Sequence, residues 1–237
     1  MQSPRIITVL LTTLLLSLPQ LANAKKQELP EVTEEGLHRV HDSKLAIVYA
    51  EPGASLAGYE RVKLLDAYVA FKKNWERDQR TSSAQPLRIT SKDVETIKNR
   101  LADEFHTVFR QVLEEGGYPV VDEAANDVLL IRPAIINLDV KAPDTPQAGR
   151  TMTYVSSAGE MTLYLEAYDS VTGDLIAKAL DRKADRRNDG FYTWSNSVTN
   201  RAAAQRILKG WATILLNALN EAKNHQPETG NPAENES

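Results

Sequence analysis

The chain has 237 residues, no cysteine and a formal net charge of −4 at pH 7, from 28 basic and 32 acidic side chains. The absence of cysteine excludes disulfides, so the fold must rest on its hydrophobic core. A mildly acidic chain of this length is a poor general nucleic-acid binder and is long enough for one domain with a full core.

Residues 1–24 have the pattern of a secretory signal peptide. Arg5 gives a positive start, residues 6–18 are almost wholly apolar, and the segment ends in a small-x-small site at Ala24. An uncleaved anchor is the alternative, but the apolar run is shorter than the roughly 20 residues that span a bilayer. We predict cleavage after Ala24. For a Gram-negative source, the mature chain is then expected in the periplasm, not membrane-spanning and without a lipidation cysteine.

Polar segments flank the rest of the chain. Residues 25–35 lack apolar periodicity and are predicted to be a linker, and the polar tail at 223–237 predicts disorder. Residues 36–222 alternate strand and helix patterns without an internal repeat. We therefore predict one domain over that range.

The first elements of this domain are predicted strands. Residues 44–50 have the pattern of a short strand. Residues 60–71 carry apolar side chains on both faces, which is typical of a long central strand. The polar residues 77–86 predict a loop.

A helix is predicted next, over residues 91–115. Thr90 and Asp93 form a helix-start signal, and Gly116 and Gly117 provide a glycine C-terminus. Between them, apolar residues recur at spacings of three and four, which predicts one buried stripe.

The second half predicts four strands and a second helix. Residues 118–123 and 127–140 are strand patterns, and Pro133 in the longer one predicts a bulge or an edge position. Residues 159–169 alternate cleanly between two faces.

A glycine-containing turn joins the strand at 159–169 to the last strand, predicted at 174–186, as an antiparallel hairpin. The final helix is predicted from 199 to 222. The order β-β-α-β-β-β-β-α predicts a single small α+β domain. Its mixed, mostly antiparallel sheet should carry both helices on one face.

The most conspicuous charged stretch is ALDRKADRRNDGFYTW, residues 179–194, with Arg182, Lys183, Arg186 and Arg187. Interleaved aspartates reduce its local net charge to about +1, and successive strand residues alternate between faces. We interpret it as a solvated strand whose charges discourage edge pairing, with an anion or headgroup site as the alternative. A nucleic-acid groove would need an uncompensated patch.

Carboxylates in apolar strands are a second candidate. Asp66 lies in the 60–71 strand, and Asn137 and Asp139 lie near the end of another, where a sheet can bring them together. Paired carboxylates support acid–base work or hold a cation. The alternative is that Asp66 meets an arginine or a backbone N–H.

Histidines offer less. His38, His41 and Asp42 have a spacing that can clamp a metal, but a site usually needs three or four ligands. We predict two polar residues before the first strand, and neither a metal nor a cofactor.

Aromatic residues form the third candidate. Tyr164 and Tyr168 share one face of the predicted hairpin and, with Trp194, can form a stacking groove for a sugar or a peptide. Cross-strand packing under the helices is the alternative.

Several long stretches resemble the domain-of-unknown-function 3313 family of uncharacterised bacterial envelope proteins. They are AIVYAEPGASLAGYERVKL (46–64), VAFKKNW (69–75), LLIRPAIINLDVKAPDT (129–145), SAGEMTLYLEAYDSVTGDLIA (157–177) and SVTNRAAA (197–204). The resemblance runs from about residue 36 to 222. Many members look like lipoproteins, whereas Lys25 and Lys26 follow Ala24 here. The resemblance implies an envelope location and no established catalytic or binding residues.

Two function classes follow. The first is a non-enzymatic binding or accessory module that contacts another envelope protein or a cell-wall or membrane component. The second is a small-ligand-binding protein or an enzyme that uses Asp66 and Asp139, or the face of Tyr164, Tyr168 and Trp194. An enzyme should have a deep pocket with converging polar groups, and a binding module a shallow apolar or charged surface.

Overall fold

A computed structural model describes six stretches of the chain: 29–81, 89–140, 153–155, 159–184, 193–195 and 197–224. All the elements below belong to the compact unit formed by residues 31–237. In chain order they are β1 (His38–Arg39), β2 (Ile47–Ala50), β3 (Arg61–Leu64), β4 (Tyr68–Phe71), α1 (Trp75–Thr81), α2 (Ser91–Glu115), β5 (Val128–Val140), β6 (Thr153–Val155), β7 (Gly159–Asp169), β8 (Leu175–Ala184), β9 (Thr193–Ser195) and α3 (Ser197–Asn224).

Seven strands form one sheet in the order β1-β2-β8-β7-β5-β3, and β4 also pairs with β5. Strands β3 and β4 run parallel to β5, whereas the other neighbours are antiparallel. Strands β6 and β9 pair separately. The α+β class and the mixed, mostly antiparallel sheet predicted from the sequence are confirmed.

Helix α2 begins and ends where its capping residues predict. The Thr90 side chain accepts a hydrogen bond from the Asp93 N–H, and the Asp93 carboxylate accepts one from the Thr90 N–H, which completes a capping box. At the other end Gly117 takes a φ of +88°, which favours glycine. The predicted boundaries of this helix are therefore confirmed.

Both long helices share one core with the sheet. The stacked rings of Phe105 and Phe109 from α2 are fully buried together with Leu208 and Trp211 from α3 and with Leu163 from β7. The final helix thus packs as its apolar stripe predicts, and it extends slightly beyond the predicted bounds at both ends.

Strands β7 and β8 form the predicted hairpin, with Gly173 at φ +75° in the turn. Along β7, four alternate residues lie in the helix-facing core: Met161, Leu163, Leu165 and Ala167. The other residues lie on the opposite side, which we call the outer face. It carries Thr162, Tyr164, Glu166 and Tyr168 of β7 and the residues in register with them on neighbouring strands.

The long central strand predicted at 60–71 is wrong. It is split into β3 and β4, which both pair with β5. Among the described residues, the other side of β3 has a single bridge, from Val62 to Val120. Pro133 of β5 lies opposite the break, between the partners of Leu64 and Tyr68. The Ile131 carbonyl points to this edge, so the Pro133 nitrogen does too, and it has no N–H to donate. The register shift in β5 itself lies further on, where Asn137 has φ +52°.

Two smaller expectations also differ from the structure. Residues 75–81 form α1, so the loop predicted from residue 77 is wrong over its described part, because buried Trp75 anchors a short helix. Residues 118–123 are not a strand. Their pairing is a single bridge of Val120 to Val62, and the Tyr118 ring is buried in the core. None of the helices in the described stretches combines the length and apolarity needed to cross a membrane.

Candidate functional site

A hydrogen-bonded cluster on the outer face is centred on Glu166, whose side chain is buried. The Tyr164 hydroxyl donates to Oε1 at 2.6 Å, and the Tyr168 hydroxyl donates to Oε2 at 2.8 Å. Both tyrosines lie two positions from Glu166 on the same strand, so all three side chains share one face. From β5, Arg132 lies directly across the ladder and donates from Nε to Oε2 at 2.7 Å.

Lys178 of β8 completes the cluster from the other side. It is in register with Glu166, and its Nζ lies 3.9 Å from Oε1. The same ammonium group pairs with Glu35, which lies just before β1. A row of alternating charges therefore crosses the sheet, from Arg132 through Glu166 and Lys178 to Glu35.

The cluster holds its protons in fixed places. Burial raises the pKa of Tyr164, and the hydrogen bond to Glu166 raises it further; Tyr168 is shifted in the same direction for the same reasons. Burial alone would raise the pKa of Glu166, but hydrogen bonds from the two tyrosines and Arg132 outweigh it, and the pKa is lowered. At neutral pH this is an ionised carboxylate that accepts from two neutral phenols.

The aromatic candidates are partly brought together. Tyr164 and Tyr168 converge on Glu166 and lie on the face opposite the helices rather than beneath them. Trp194 lies in β9, where its backbone pairs with Tyr154, and its side chain is outside the described part of the structure.

The carboxylate candidates are not brought together. Asp66 is exposed between β3 and β4, whereas Asp139 is buried beyond the far end of β4 and opposite Glu160. Along the strand direction, Asp66 and Asp139 are about six residues apart, which corresponds to about 20 Å. Lys72 lies near Asp139 instead, with its Nζ 3.6 Å from Oδ2.

The cation cluster separates by faces. Arg182 pairs with Glu160 at 2.5 Å on the outer face, and Lys183 lies 3.2 Å from Asp181 on the helix-facing side. Strand β8 has neighbours on both sides over 177–180 and, among described residues, pairs only with β7 after that. Arg186 and Arg187 lie outside the described residues.

Asp181 is a second buried carboxylate. Its Oδ2 accepts from the Trp211 indole N–H at 2.8 Å, and its Oδ1 accepts from the Ala46 backbone N–H at 3.1 Å. It therefore joins α3 and the start of β2 to β8.

The histidine pair forms no ligand cluster in the described stretches. His41 contacts Glu31, with Nε2 and Oε2 3.0 Å apart. No group of three or more potential metal ligands occurs there either.

Sequence reasoning missed Glu166, Arg132, Lys178 and Asp181 as site or core residues. The pattern Tyr-x-Glu-x-Tyr places three hydrogen-bonding side chains on one strand face, and this was the available signal. The arginine and the lysine enter only through cross-strand register, which the sequence alone does not give.

Several solved structures have a similar chain path at low identity. PelC from Paraburkholderia phytofirmans, a dodecamer, is 12% identical, with a TM-score of 0.36 over 71% of this chain and 96% of that chain. XCC0632 from Xanthomonas campestris is 12% identical, with a TM-score of 0.36 over 75% and 94%. A putative neuraminyllactose-binding hemagglutinin homolog from Helicobacter pylori is 10% identical, with a TM-score of 0.37 over 72% and 90%.

These similarities are too low to assign a function or an assembly. No curated protein matches the chain. Residues 35–215 do match a family model, that of the proteins of unknown function called DUF3313. This span covers most of the chain and includes every residue of the Glu166 cluster, and the chain therefore belongs to the DUF3313 family.

Proposed function

We propose that this protein is an exported, non-enzymatic binding module of the bacterial cell envelope, which contacts another envelope component through its outer face. The export part rests on the signal-peptide pattern of residues 1–24. The binding part rests on how charge is layered on the outer face.

In three ion pairs on that face, the carboxylate is less exposed to solvent than the cation. The exposed fractions of the cation and its acid are 58% and 5% for Arg132 and Glu166, 52% and 8% for Lys72 and Asp139, and 65% and 22% for Arg182 and Glu160. Lys178 is the exception, since it is less exposed than Glu35. The groups offered to a partner are therefore mainly cations and tyrosine rings, held in place by buried acids.

Binding fits the Glu166 cluster better than catalysis does. A general base or nucleophile needs a pKa near the working pH, whereas these phenols are shifted upward and this carboxylate downward. The cluster thus fixes side chains in position, which is what a recognition surface requires.

The export proposal is tested by fractionating cells and measuring the intact mass of the protein. We expect a periplasmic protein that begins at Lys25. A chain that retains Met1 and fractionates with the cytoplasm would overturn the envelope assignment.

The binding proposal is tested by photo-crosslinking in intact cells. A photoreactive amino acid replaces Tyr68, which is exposed on the outer face, or Gln111, which is exposed on α2 as a matched control. We expect one discrete adduct from position 68 only. The captured component must also retain the protein when it is purified first.

Equal adducts from both positions, or none from position 68, would contradict the use of this face. Normal export and an unchanged melting temperature of each variant show that the comparison concerns binding and not folding.

A further inference from the structure

We propose that the outer face binds an acidic carbohydrate in a trough between Tyr68 and Tyr164, with Arg132 holding the acidic group. This inference rests on the proposed function, because it names the class of partner for the same face.

The trough follows from the register of three strands. Tyr68 of β4 is opposite Ala134 of β5, and Ala134 is opposite Tyr164 of β7. Two interstrand intervals separate the tyrosine backbones by about 10 Å. Alanine is the shortest side chain in this row, so it forms a floor between two aromatic walls. A ring in van der Waals contact with both walls needs about 7–8 Å between them, which this spacing accommodates.

Both walls present the carbon atoms of an aromatic ring. The Tyr164 hydroxyl is turned toward Glu166, and Tyr68 is 68% exposed, the largest exposure among the bulky apolar and aromatic residues described. The face of an aromatic ring is electron-rich, and the C–H groups on one face of a sugar ring are weakly positive. A saturated ring can therefore lie against either tyrosine.

Arg132 supplies the charge at one end of the trough. It lies two residues before Ala134 on the floor strand and on the same face, about 7 Å away. Its Nε and Nη2 are directed to Glu166, and its Nη1 has no acceptor among the described residues. The N–H donors of Nη1 remain to bind a second carboxylate or a phosphate group. Lys72 and Arg182 add exposed positive charge on the same face.

The geometry favours a sugar over a lipid surface. Tyrosines at a membrane interface sit with the hydroxyl in the wet headgroup layer. Here the Tyr164 hydroxyl is directed inward to a buried carboxylate, so the polar end of this tyrosine is not available to headgroups. The open trough on a rigid sheet instead matches one ring of an acidic glycan chain.

The test compares three probes by NMR titration and calorimetry on the full mature chain. Tetragalacturonate carries four acidic sugar rings, and its full methyl ester carries the same rings without charge. N-acetylated, C-amidated tetraglutamate carries four carboxylates without rings. We expect tetragalacturonate to shift the amide signals of Tyr68, Ala134 and Tyr164, and to bind at least about tenfold more tightly than either comparison probe.

Substitutions test the tyrosine wall and the alanine floor separately, with a control for effects on folding. Tyr68→Ala should weaken binding of tetragalacturonate about tenfold, and Tyr68→Phe should retain it, because only the ring is used. Ala134→Leu should abolish binding by filling the floor. Ala184→Leu places the same side chain elsewhere on the outer face, opposite Glu160, and should leave affinity within about twofold.

The outcomes are distinguishable. No binding of tetragalacturonate up to about 10 mM, or equal affinity for tetraglutamate or the methyl ester, overturns the inference. Crosslinking from position 68 to a partner that contains no carbohydrate would also overturn it, yet it would leave the proposed function standing. Absence of both sugar binding and a crosslink would remove both.

Discussion

Glu166 and Asp181 are buried carboxylates of one hairpin, and they differ in where their donors come from. Asp181 accepts from Trp211 on α3 and from the backbone at Ala46, so its bonds connect separate layers of the molecule. Glu166 accepts from Tyr164 and its other neighbours on the outer face. The first carboxylate holds elements together, and the second arranges a surface.

The difference teaches how to assign a role to a buried acid. Donors that are themselves buried have no alternative partner when the acid is removed, so their loss is felt by the fold. Half-exposed donors can bind water when the acid is removed, so the substitution mainly changes how the surface side chains are arranged. The buried Trp211 indole of Asp181, which has no counterpart among the donors to Glu166, separates the two cases.

The largest predicted effect is at Asp181. Asp181→Ala leaves the buried Trp211 indole N–H without an acceptor and removes the contact of the Lys183 ammonium, whereas the exposed Ala46 N–H can bind water. We expect a loss of about 3 kcal/mol in the free energy of unfolding, measured in urea. Asp181→Asn keeps one acceptor and should lose less. A loss below about 1 kcal/mol for the alanine variant would mean that this contact does not hold α3 to the sheet.

Glu166 should matter less to stability. Glu166→Gln keeps one acceptor, and the half-exposed tyrosines can reach water, so we expect a loss of about 1–2 kcal/mol. Glu160→Gln, at a more exposed acid on the same face, is the control and should lose less than about 1 kcal/mol. If Glu166→Gln costs more than Asp181→Ala, the contrast between the two acids is wrong.

Lowering the pH tests the same face by protonating its carboxylates. The pKa of Glu166 is lowered in the folded chain, and the hydrogen bond from Lys178 lowers the pKa of Glu35 from 4.5 to about 2. These groups therefore stabilise the fold above their ordinary pKa, and that contribution is lost as pH falls through the folded values.

Urea unfolding of the wild type between pH 7 and pH 3 should accordingly lose stability mainly below the ordinary carboxyl pKa of about 4.5. Glu166→Gln should flatten this dependence, and Glu35→Gln should flatten it slightly because Glu35 is exposed. Parallel curves for all three proteins would show that protonation of Glu166 and Glu35 is not linked to folding.

The smallest predicted effect concerns the hydroxyl of Tyr118, a buried polar group that is not hydrogen-bonded to a carboxylate. The Tyr118 ring is 1% exposed, and its hydroxyl has no partner in the described structure. Tyr118→Phe should leave stability unchanged or raise it by up to about 1 kcal/mol in urea unfolding, because no hydrogen bond is lost. A loss of more than that would indicate a bound water, and Tyr59→Phe, which loses a bond to Asp169, supplies the opposite control.

Local signals in the sequence predict the parts that depend on neighbours along the chain. The capping box at Thr90 and Asp93 and the alternation of β7 need no knowledge of the rest of the fold, and both are confirmed. The prediction of one long strand at 60–71 is wrong because the apolar pattern of these residues fits one strand as well as two. The break is set by Pro133, which is more than 60 residues away.

The candidate site was predictable to the same limited extent. The shared strand face of Tyr164 and Tyr168 is visible in the sequence, but nothing in the sequence distinguishes Glu166 between them from a solvated acid. Its burial depends on Arg132, which only the β5–β7 register brings to it. Asp181 was likewise counted as a charge that balances the cation cluster, because its partner Trp211 is 30 residues further along the chain.

Pro133 also bears on how the sheet keeps its alignment. A slide of β3 and β4 along β5 by two residues would preserve the separation of inner and outer side chains, so the hydrophobic pattern cannot oppose it. Such a slide would, however, bring a ladder residue opposite the one position of β5 that has no N–H on this edge. The proline thus acts as a stop for strand slippage, and it keeps Tyr68 beside Ala134, the pairing on which the trough depends.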